Sequence, residues 1–256
     1  FSNYGPQISV CAPGESIYST WAQGGDSTMY SYDSGTSMAS PCAAGVAAII
    51  KSRFPSYTAL QVGEQLKVSC DNISSVNTSY PNELGTGRVD MYNALIDTTS
   101  PSVEFSNQNI TDNNDNVFKN GDTLRISGDF TNYLAPTTNL VATLSAISSP
   151  FVNIISNTAT LGAIPTLGVK NNNSSPFKVI IKSNAPTNQA INFKITMTDC
   201  SYTGYYYFSI VVNADYINVT INDINTTITS KGLIGYDGNG QTMGLGFTYN
   251  GSRPLL

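Results

Sequence analysis

An almost wholly apolar, alanine-rich run, residues 42–51, follows directly on a short polar segment that ends in Pro41. Such a run is typical of a buried helix. Proline is tolerated in a first helical turn, because its missing N–H would have no intrahelical partner there. We therefore predict a helix over residues 37–52. Gly45 costs about 1 kcal/mol relative to alanine inside a helix, so we expect another backbone to pack closely against that face.

Ser37 lies at the N-terminal end of this predicted helix. The free N–H groups of a first turn and the helix dipole stabilise a negatively charged oxygen. Taken alone, the residue is either a capping serine on a core helix or a hydroxyl placed for chemistry.

The residues around Ser37 resemble the nucleophile motif of the subtilisin-like (S8) serine peptidases. The motif and the further similar segments, in chain order, are Phe1-Ser2-Asn3-Tyr4-Gly5-Pro6, Val10-Cys11-Ala12-Pro13-Gly14, Ile17-Tyr18-Ser19-Thr20, Gly35-Thr36-Ser37-Met38-Ala39-Ser40-Pro41 and Gly85-Thr86-Gly87-Arg88-Val89-Asp90 with Ala94. The resemblance implies that residues 1–97 are the C-terminal third of an α/β catalytic domain built on a parallel sheet.

The same resemblance assigns Ser37 as the catalytic nucleophile and its backbone N–H as part of the oxyanion hole. A serine hydroxyl needs a base, and the base needs a carboxylate to orient it. The chain contains no histidine, and the family order Asp, His, Ser puts both partners upstream of Phe1. The oxyanion asparagine would lie upstream as well. We therefore expect a fragment that is inactive alone and that lacks the N-terminal part of its own peptidase domain.

Five residues flanking Ser37 are implied to lie beside the substrate: Asp33, Ser34, Gly35, Thr36 and Met38. The charge of Asp33 would influence substrate preference, although a solvated turn aspartate is the interpretation we favour for it. Residues 21–34 are predicted to be a loop, which either rims the substrate cleft or is a solvated surface loop.

Composition excludes several classes of partner. The net charge is −5 and only 11% of residues are charged, so no basic patch is available for nucleic acid or anionic membranes. No apolar run reaches the roughly 18 residues of a membrane span. The polar, charge-poor composition favours secretion, and the resemblance implies an extracellular bacterial enzyme acting on proteins or peptides. We expect no cofactor and no metal from this chain, although a structural calcium in the full-length protein is compatible with the resemblance.

The remaining local patterns of the N-terminal region predict two more elements. Thr58 with Gln61 forms a capping-box pattern before a helix of about 11 residues, whose apolar face is Leu60, Val62, Leu66 and Val68. Residues 89–96 are a short helix or an extended segment. Cys11 and Cys42 fall in segments that the family packs close to the catalytic core, and they form either a disulfide or, the favoured alternative, two buried free thiols.

After a linker at residues 97–101 the pattern changes to period-two alternation, which predicts an antiparallel β-sandwich over residues 98–214. The alternating segments are 140–145, 177–182, 191–198 and 206–212. They are similar to the immunoglobulin-like accessory modules of secreted bacterial hydrolases, which implies contact with a cell surface or glycan. Residues 215–256 are predicted to begin a further β-rich domain or to add a layer to the sandwich.

Oxygen-bearing residues at 112–116 suggest a calcium loop, but Val117 stands where that pattern requires glycine, so an Asx-rich turn is favoured.

Three hypotheses for function remain. The chain is part of a secreted serine endopeptidase, a surface-binding module with a degenerate peptidase remnant, or a pseudoenzyme.

Overall fold

The computed structural model describes residues 2–23, 26–112, 114–115, 117–221 and 223–251. The N-terminal region contains a hairpin of β1 (Ile17–Gln23) and β2 (Asp26–Asp33), followed by helices α1 (Thr36–Arg53), α2 (Ala59–Val68) and α3 (Met91–Ile96). A 3₁₀ turn (Ser74–Val76) lies between α2 and α3. The predicted first helix is confirmed within one residue at each end.

Local capping decides where the second and third helices begin. The Thr58 hydroxyl accepts from the Gln61 N–H (3.2 Å), and the Gln61 side chain accepts from the Thr58 N–H (3.0 Å). This is the predicted capping box, in which two otherwise unpaired N–H groups are satisfied reciprocally. Asp90 caps α3 by accepting from the Asn93 N–H at 3.0 Å, which decides the segment 89–96 in favour of a helix.

Helix α1 is far more exposed than its composition predicts. Only Ile50 is buried, where it packs with Val62 of α2 and Ala94 of α3. A Cβ built on Gly45 meets no atom within 4 Å, so the prediction of a closely packed backbone was wrong. The reason is that α2 and α3 cover one side of α1, and nothing in the described ranges covers the opposite side.

The parallel sheet implied for the N-terminal region is not found among the described residues. Every ladder between named strands there is antiparallel. One isolated parallel bridge joins Cys11 to Arg88, with Cys11 N–H donating to the Gly87 carbonyl at 2.7 Å. A parallel sheet needs several adjacent strands joined by crossovers, and this single bridge has no second parallel neighbour in the described chain.

The β-rich prediction for the middle of the chain is confirmed. Two antiparallel sheets are formed, with strand orders β11-β10-β5-β7 and β3-β4-β9-β6, and β8 pairs with β4. The strands are β3 (Val103–Thr111), β4 (Thr123–Asn132), β5 (Leu140–Ala146), β6 (Val152–Ser156), β7 (Thr158–Gly162), β8 (Val169–Asn171), β9 (Phe177–Ile181), β10 (Gln189–Asp199) and β11 (Tyr202–Val212).

The inward-facing residues of both sheets form one hydrophobic core. Fully buried members from the first sheet include Phe193 and Leu144, and those from the second include Phe130 and Phe177. Burial alternates along β9 and β10, as period-two patterning requires. The two sheets therefore pack face to face as the predicted sandwich.

The last described region is a separate three-stranded sheet of β12 (Tyr216–Ile221), β13 (Ile224–Thr229) and β14 (Phe247–Tyr249). It is tied to the sandwich through Asp215, whose side chain accepts from the Asn188 amide at 2.7 Å. The final residues, 252–256, lie outside the described ranges.

The 112–116 segment shows the hydrogen bonds of Asx turns. Asp112 accepts from the Asn114 N–H and Asp115 from the Val117 N–H, each at 2.9 Å. Asn113 and Asn116, two residues of the calcium-loop pattern, lie outside the described residues.

Candidate functional site

The segment predicted as a loop, residues 21–34, is largely strand, and that prediction was wrong. Antiparallel pairing runs from Ile17 opposite Asp33 to Trp21 opposite Met29. The second strand forms because its residues alternate between two faces: Tyr30 and Tyr32 are exposed on one face, and Ser31 between them lies on the other. Between the strands stands Gly24-Gly25, a hairpin dipeptide by sequence, although these two residues lie outside the described ranges.

Ser37 is the second residue of α1 and is exposed. Its N–H belongs to the first turn, where a helix offers no carbonyl to accept from it. The Met38 and Ala39 N–H groups already donate to the Gly35 carbonyl, at 3.0 and 3.3 Å. The serine therefore presents both its hydroxyl and its N–H at the positive end of an 18-residue helix.

Two glycines hold the turn that leads into α1. The Gly35 N–H donates to the Gly14 carbonyl at 2.7 Å. A Cβ on Gly14 would lie 2.8 Å from the Gly35 carbonyl oxygen and 3.1 Å from the Ala39 Cβ. The chain at 14 thus approaches the helix start more closely than a residue with a side chain permits, and this approach positions Ser37.

The hairpin and the start of α1 enclose a cleft of about 450 Å³ that includes Ser37. From β1 and β2 it is lined by residues of one face of the hairpin, Ile17, Ser19, Trp21, Ser31 and Asp33, and also by Tyr18 and Thr20 of the opposite face. From α1 it is lined by residues of the first two turns. The lining residues are Ile17, Tyr18, Ser19, Thr20, Trp21, Ser31, Asp33, Ser37, Met38, Pro41 and Cys42.

The structure brings two of the five predicted flanking residues into this cleft, Asp33 and Met38. Ser34 is exposed beside it, and its hydroxyl accepts from the Ser16 N–H at 2.8 Å. The Asp33 carboxylate accepts from the Ser34 N–H at 2.7 Å. Gly35 and Thr36 form the helix entrance.

The hairpin residues Ile17, Ser19, Trp21 and Ser31 line the cleft and were not predicted as site residues. The sequence carries a signal that would have found them. Alternation on both sides of a Gly-Gly dipeptide predicts a hairpin, and the register then places these side chains on the face that holds Asp33.

The base that a serine nucleophile requires has no histidine candidate anywhere in the sequence. Within the described ranges, no group of three or more His, Cys, Asp or Glu side chains is placed to hold a metal ion.

All four cysteines are free thiols, so the structure favours free Cys11 and Cys42 over a disulfide. The Cys11 thiol donates to the Leu84 carbonyl at 3.4 Å, and burial raises its pKa.

Comparison with known proteins finds a family match for the N-terminal part of the chain. Residues 1–121 match the family model described as the subtilase family, Peptidase_S8. The chain is 42% identical over 89 residues to a thermostable alkaline protease of Halalkalibacterium halodurans, covering 35% of this chain and 22% of that protein. It is 44% identical over 73 residues to subtilisin DY of Bacillus licheniformis, covering 28% and 25%. The chain thus spans about a quarter or less of the length of these relatives.

Solved structures resemble the chain only loosely. The C-terminal part of alpha-2-macroglobulin from Escherichia coli aligns with a TM-score of 0.35 and 16% identity, over 48% of this chain and 19% of that one. Among the described residues, no helix has the length and apolar character needed to cross a membrane.

Proposed function

With residues 1–121 identified as subtilase-family sequence, we propose that this chain is part of a secreted bacterial serine endopeptidase that cleaves proteins through an acyl-enzyme on Ser37. The observation that supports this most is the exposed Ser37 at the first turn of α1, opening into the cleft beside the hairpin. Binding of the sandwich to glycans or cell surfaces stays a prediction.

In this proposal the Ser37 hydroxyl attacks the carbonyl carbon of the scissile bond. Its proton passes to a base, and the carbonyl oxygen gains the negative charge. The Ser37 N–H donates to that oxygen, and the dipole of α1 favours the charge. The base and its orienting carboxylate are supplied by residues outside these 256, since the chain has no histidine.

A fluorophosphonate probe tests this division of labour, because it reacts with serines that a neighbouring base has activated. We expect the full-length polypeptide to be labelled at Ser37 and the 256-residue chain to remain unlabelled. Without triad partners only about 10³–10⁴-fold acceleration over water survives, and the chain holds only part of the oxyanion hole. Peptide mass mapping locates the adduct, and trypsin serves as the positive control.

The two measurements test the proposed function and the dependence on the missing partners independently of each other. A full-length polypeptide that is not labelled at Ser37 would contradict the proposed function. A 256-residue chain labelled as fast as the full-length polypeptide would instead contradict only its dependence on the missing partners.

We also propose that Asp33, Ser34, Gly35, Thr36 and Met38 lie against bound substrate, with Asp33 supplying charge. Of these, Asp33 and Met38 line the cleft. The quantity to compare is kcat/KM for a peptide with lysine beside the scissile bond, divided by kcat/KM for the matched peptide with glutamate there. Replacing Asp33 with asparagine should lower this ratio by about 3–10-fold. A partly solvated pair of opposite charges is worth roughly 1 kcal/mol. The measurement is competitive cleavage of matched peptides by the full-length enzyme. An unchanged ratio would leave Asp33 as a turn residue only.

A further inference from the structure

The buried face of α2 is unusually polar. Gln61, Glu64 and Gln65 are 6%, 7% and 2% exposed, beside the apolar Val62. By contrast Leu60, predicted on the buried face, is 62% exposed. Buried polar side chains are normally hydrogen-bonded. The partners of these three side chains therefore show which segments α2 packs against.

One amide partner belongs to the sandwich and another to the linker. Gln61 Nε2 donates to the Tyr133 carbonyl at 3.0 Å, in the turn after β4. Gln65 Nε2 donates to the carbonyls of Ala94 at 3.1 Å and Asp97 at 2.7 Å, at the end of α3. Helix α2 is therefore hydrogen-bonded on one side to the helical region and on the other to the sandwich. We call the part of the sandwich that it contacts, the turn at Tyr133 and the start of β3 at residues 102–104, the base of the sandwich.

A charged cluster completes the contact. Lys67 Nζ lies 2.8 Å from Glu64 Oε1 and also pairs with Glu104 on β3. The Ser102 hydroxyl donates to Glu64 Oε2 at 2.6 Å. The side chains of Lys67 and Glu64 are only 24% and 9% exposed, whereas that of Glu104 is 38% exposed. Lys67 therefore neutralises Glu64 in a place where water compensates poorly, and it also pairs with the more solvated Glu104.

The receiving side is itself held in place. The Ser102 N–H donates to Asn132 Oδ1 at 3.1 Å, and the Tyr133 N–H donates to the Ser102 carbonyl at 2.8 Å. The Val103 N–H donates to the Tyr202 hydroxyl at 2.8 Å, across 99 residues of sequence. The linker and the start of β3 are thus bonded to β4 and β11.

The helical region has little core of its own. Its buried apolar residues among those described are Ile50, Val62 and Ala94, whereas the sandwich core draws on both sheets. Such a small core contributes too little burial to hold three helices alone.

We infer that the polar face of α2, with Lys67 at its centre, is a docking surface for the base of the sandwich, which is thereby a structural support of the serine-bearing helix rather than a tethered module. Unfolding of α1 is then coupled to the α2–sandwich contact. This inference does not depend on the proposed peptidase activity.

Hydrogen exchange of the 256-residue chain tests the coupling, with Lys67→Met as the variant. The control is Lys119→Met, which removes a lysine from an exposed pair with Asp115 within the sandwich. We expect amides of α1 to exchange at least about 100-fold faster in K67M, because losing one partner of a buried pair strands the other charge. In K119M they should be unchanged. Equal exchange of α1 in the two variants would overturn the inference.

A second variant separates stranded charge from general damage. In Glu64→Gln/Lys67→Met one buried carboxylate is gone, while the glutamine still accepts from Ser102. We expect this double variant to recover at least tenfold of the α1 protection lost in K67M, and to fold even if K67M does not. Exchange in the double variant as fast as in K67M, or a double variant that also fails to fold, would contradict the central role of the Lys67 cluster.

Discussion

Replacing Ser37 with alanine in the full-length polypeptide should lower kcat for casein hydrolysis about a million-fold, the size of loss known for removing the nucleophile of a subtilisin. The reason is that the acyl-enzyme can no longer form, while the helix N-terminus and cleft are left unaltered. Steady-state hydrolysis, with KM determined alongside kcat, measures the effect. Substrate binding should change little, because the hydroxyl contributes mainly to the transition state.

Ser40→Ala is the matched control for this variant. Ser40 is exposed on the same helix, within one turn of Ser37, and it does not line the cleft. The S40A enzyme should keep kcat within a few-fold of the unsubstituted enzyme. Casein hydrolysis by S37A at a comparable rate would remove Ser37 from the reaction altogether.

Replacing Phe130 with alanine should lower the free energy of unfolding of the sandwich by about 3–5 kcal/mol. The side chain is fully buried and lies directly opposite Phe105 in the β3–β4 ladder, with ring centroids 4.9 Å apart. Alanine leaves a cavity that close-packed β-sheet neighbours cannot fill. Guanidinium denaturation followed by far-UV circular dichroism measures the loss as a shift in midpoint.

Phe247→Ala supplies the comparison for this core variant. Phe247 is also on a strand, but it is 46% exposed, so its truncation should cost less than about 1 kcal/mol. If the two variants were equally stable, the core described for the sandwich would not be its folding core.

The successful predictions rest on local patterns. The capping box at Thr58 and Gln61 depends on residues three apart, so it is legible before any tertiary contact forms. The strands around Phe193 and Phe177 alternate with period two over several residues. The motif around Ser37 is likewise contiguous, so the candidate site could be proposed from the sequence, and its role stays a prediction.

The failures concern what lies against each element. Helix α1 has apolar residues on every side, and the structure covers only the side that bears Ile50. Helix α2 was given an apolar buried face, yet Leu60 faces water while Gln61 and Glu64 are buried. The rest of the predicted face is not contradicted, since Val62 is buried and Leu66 packs beside it. The polar residues are buried because they have partners on distant segments, such as Ser102 and Tyr133, and no local pattern reports those partners.

The sequence by itself determined where the first two helices and four of the sandwich strands (β5, β9, β10 and β11) form, and which hydroxyl stands at the start of α1, because propensity, capping and alternation act between near neighbours. Only the tertiary structure decided that the hairpin of residues 17–33 lies against the start of α1, where it lines the Ser37 cleft, and that Lys67 of α2 pairs with two carboxylates, one of them on β3. Those arrangements depend on contacts between residues far apart in the chain, whose strength comes from burial and charge pairing once the segments meet.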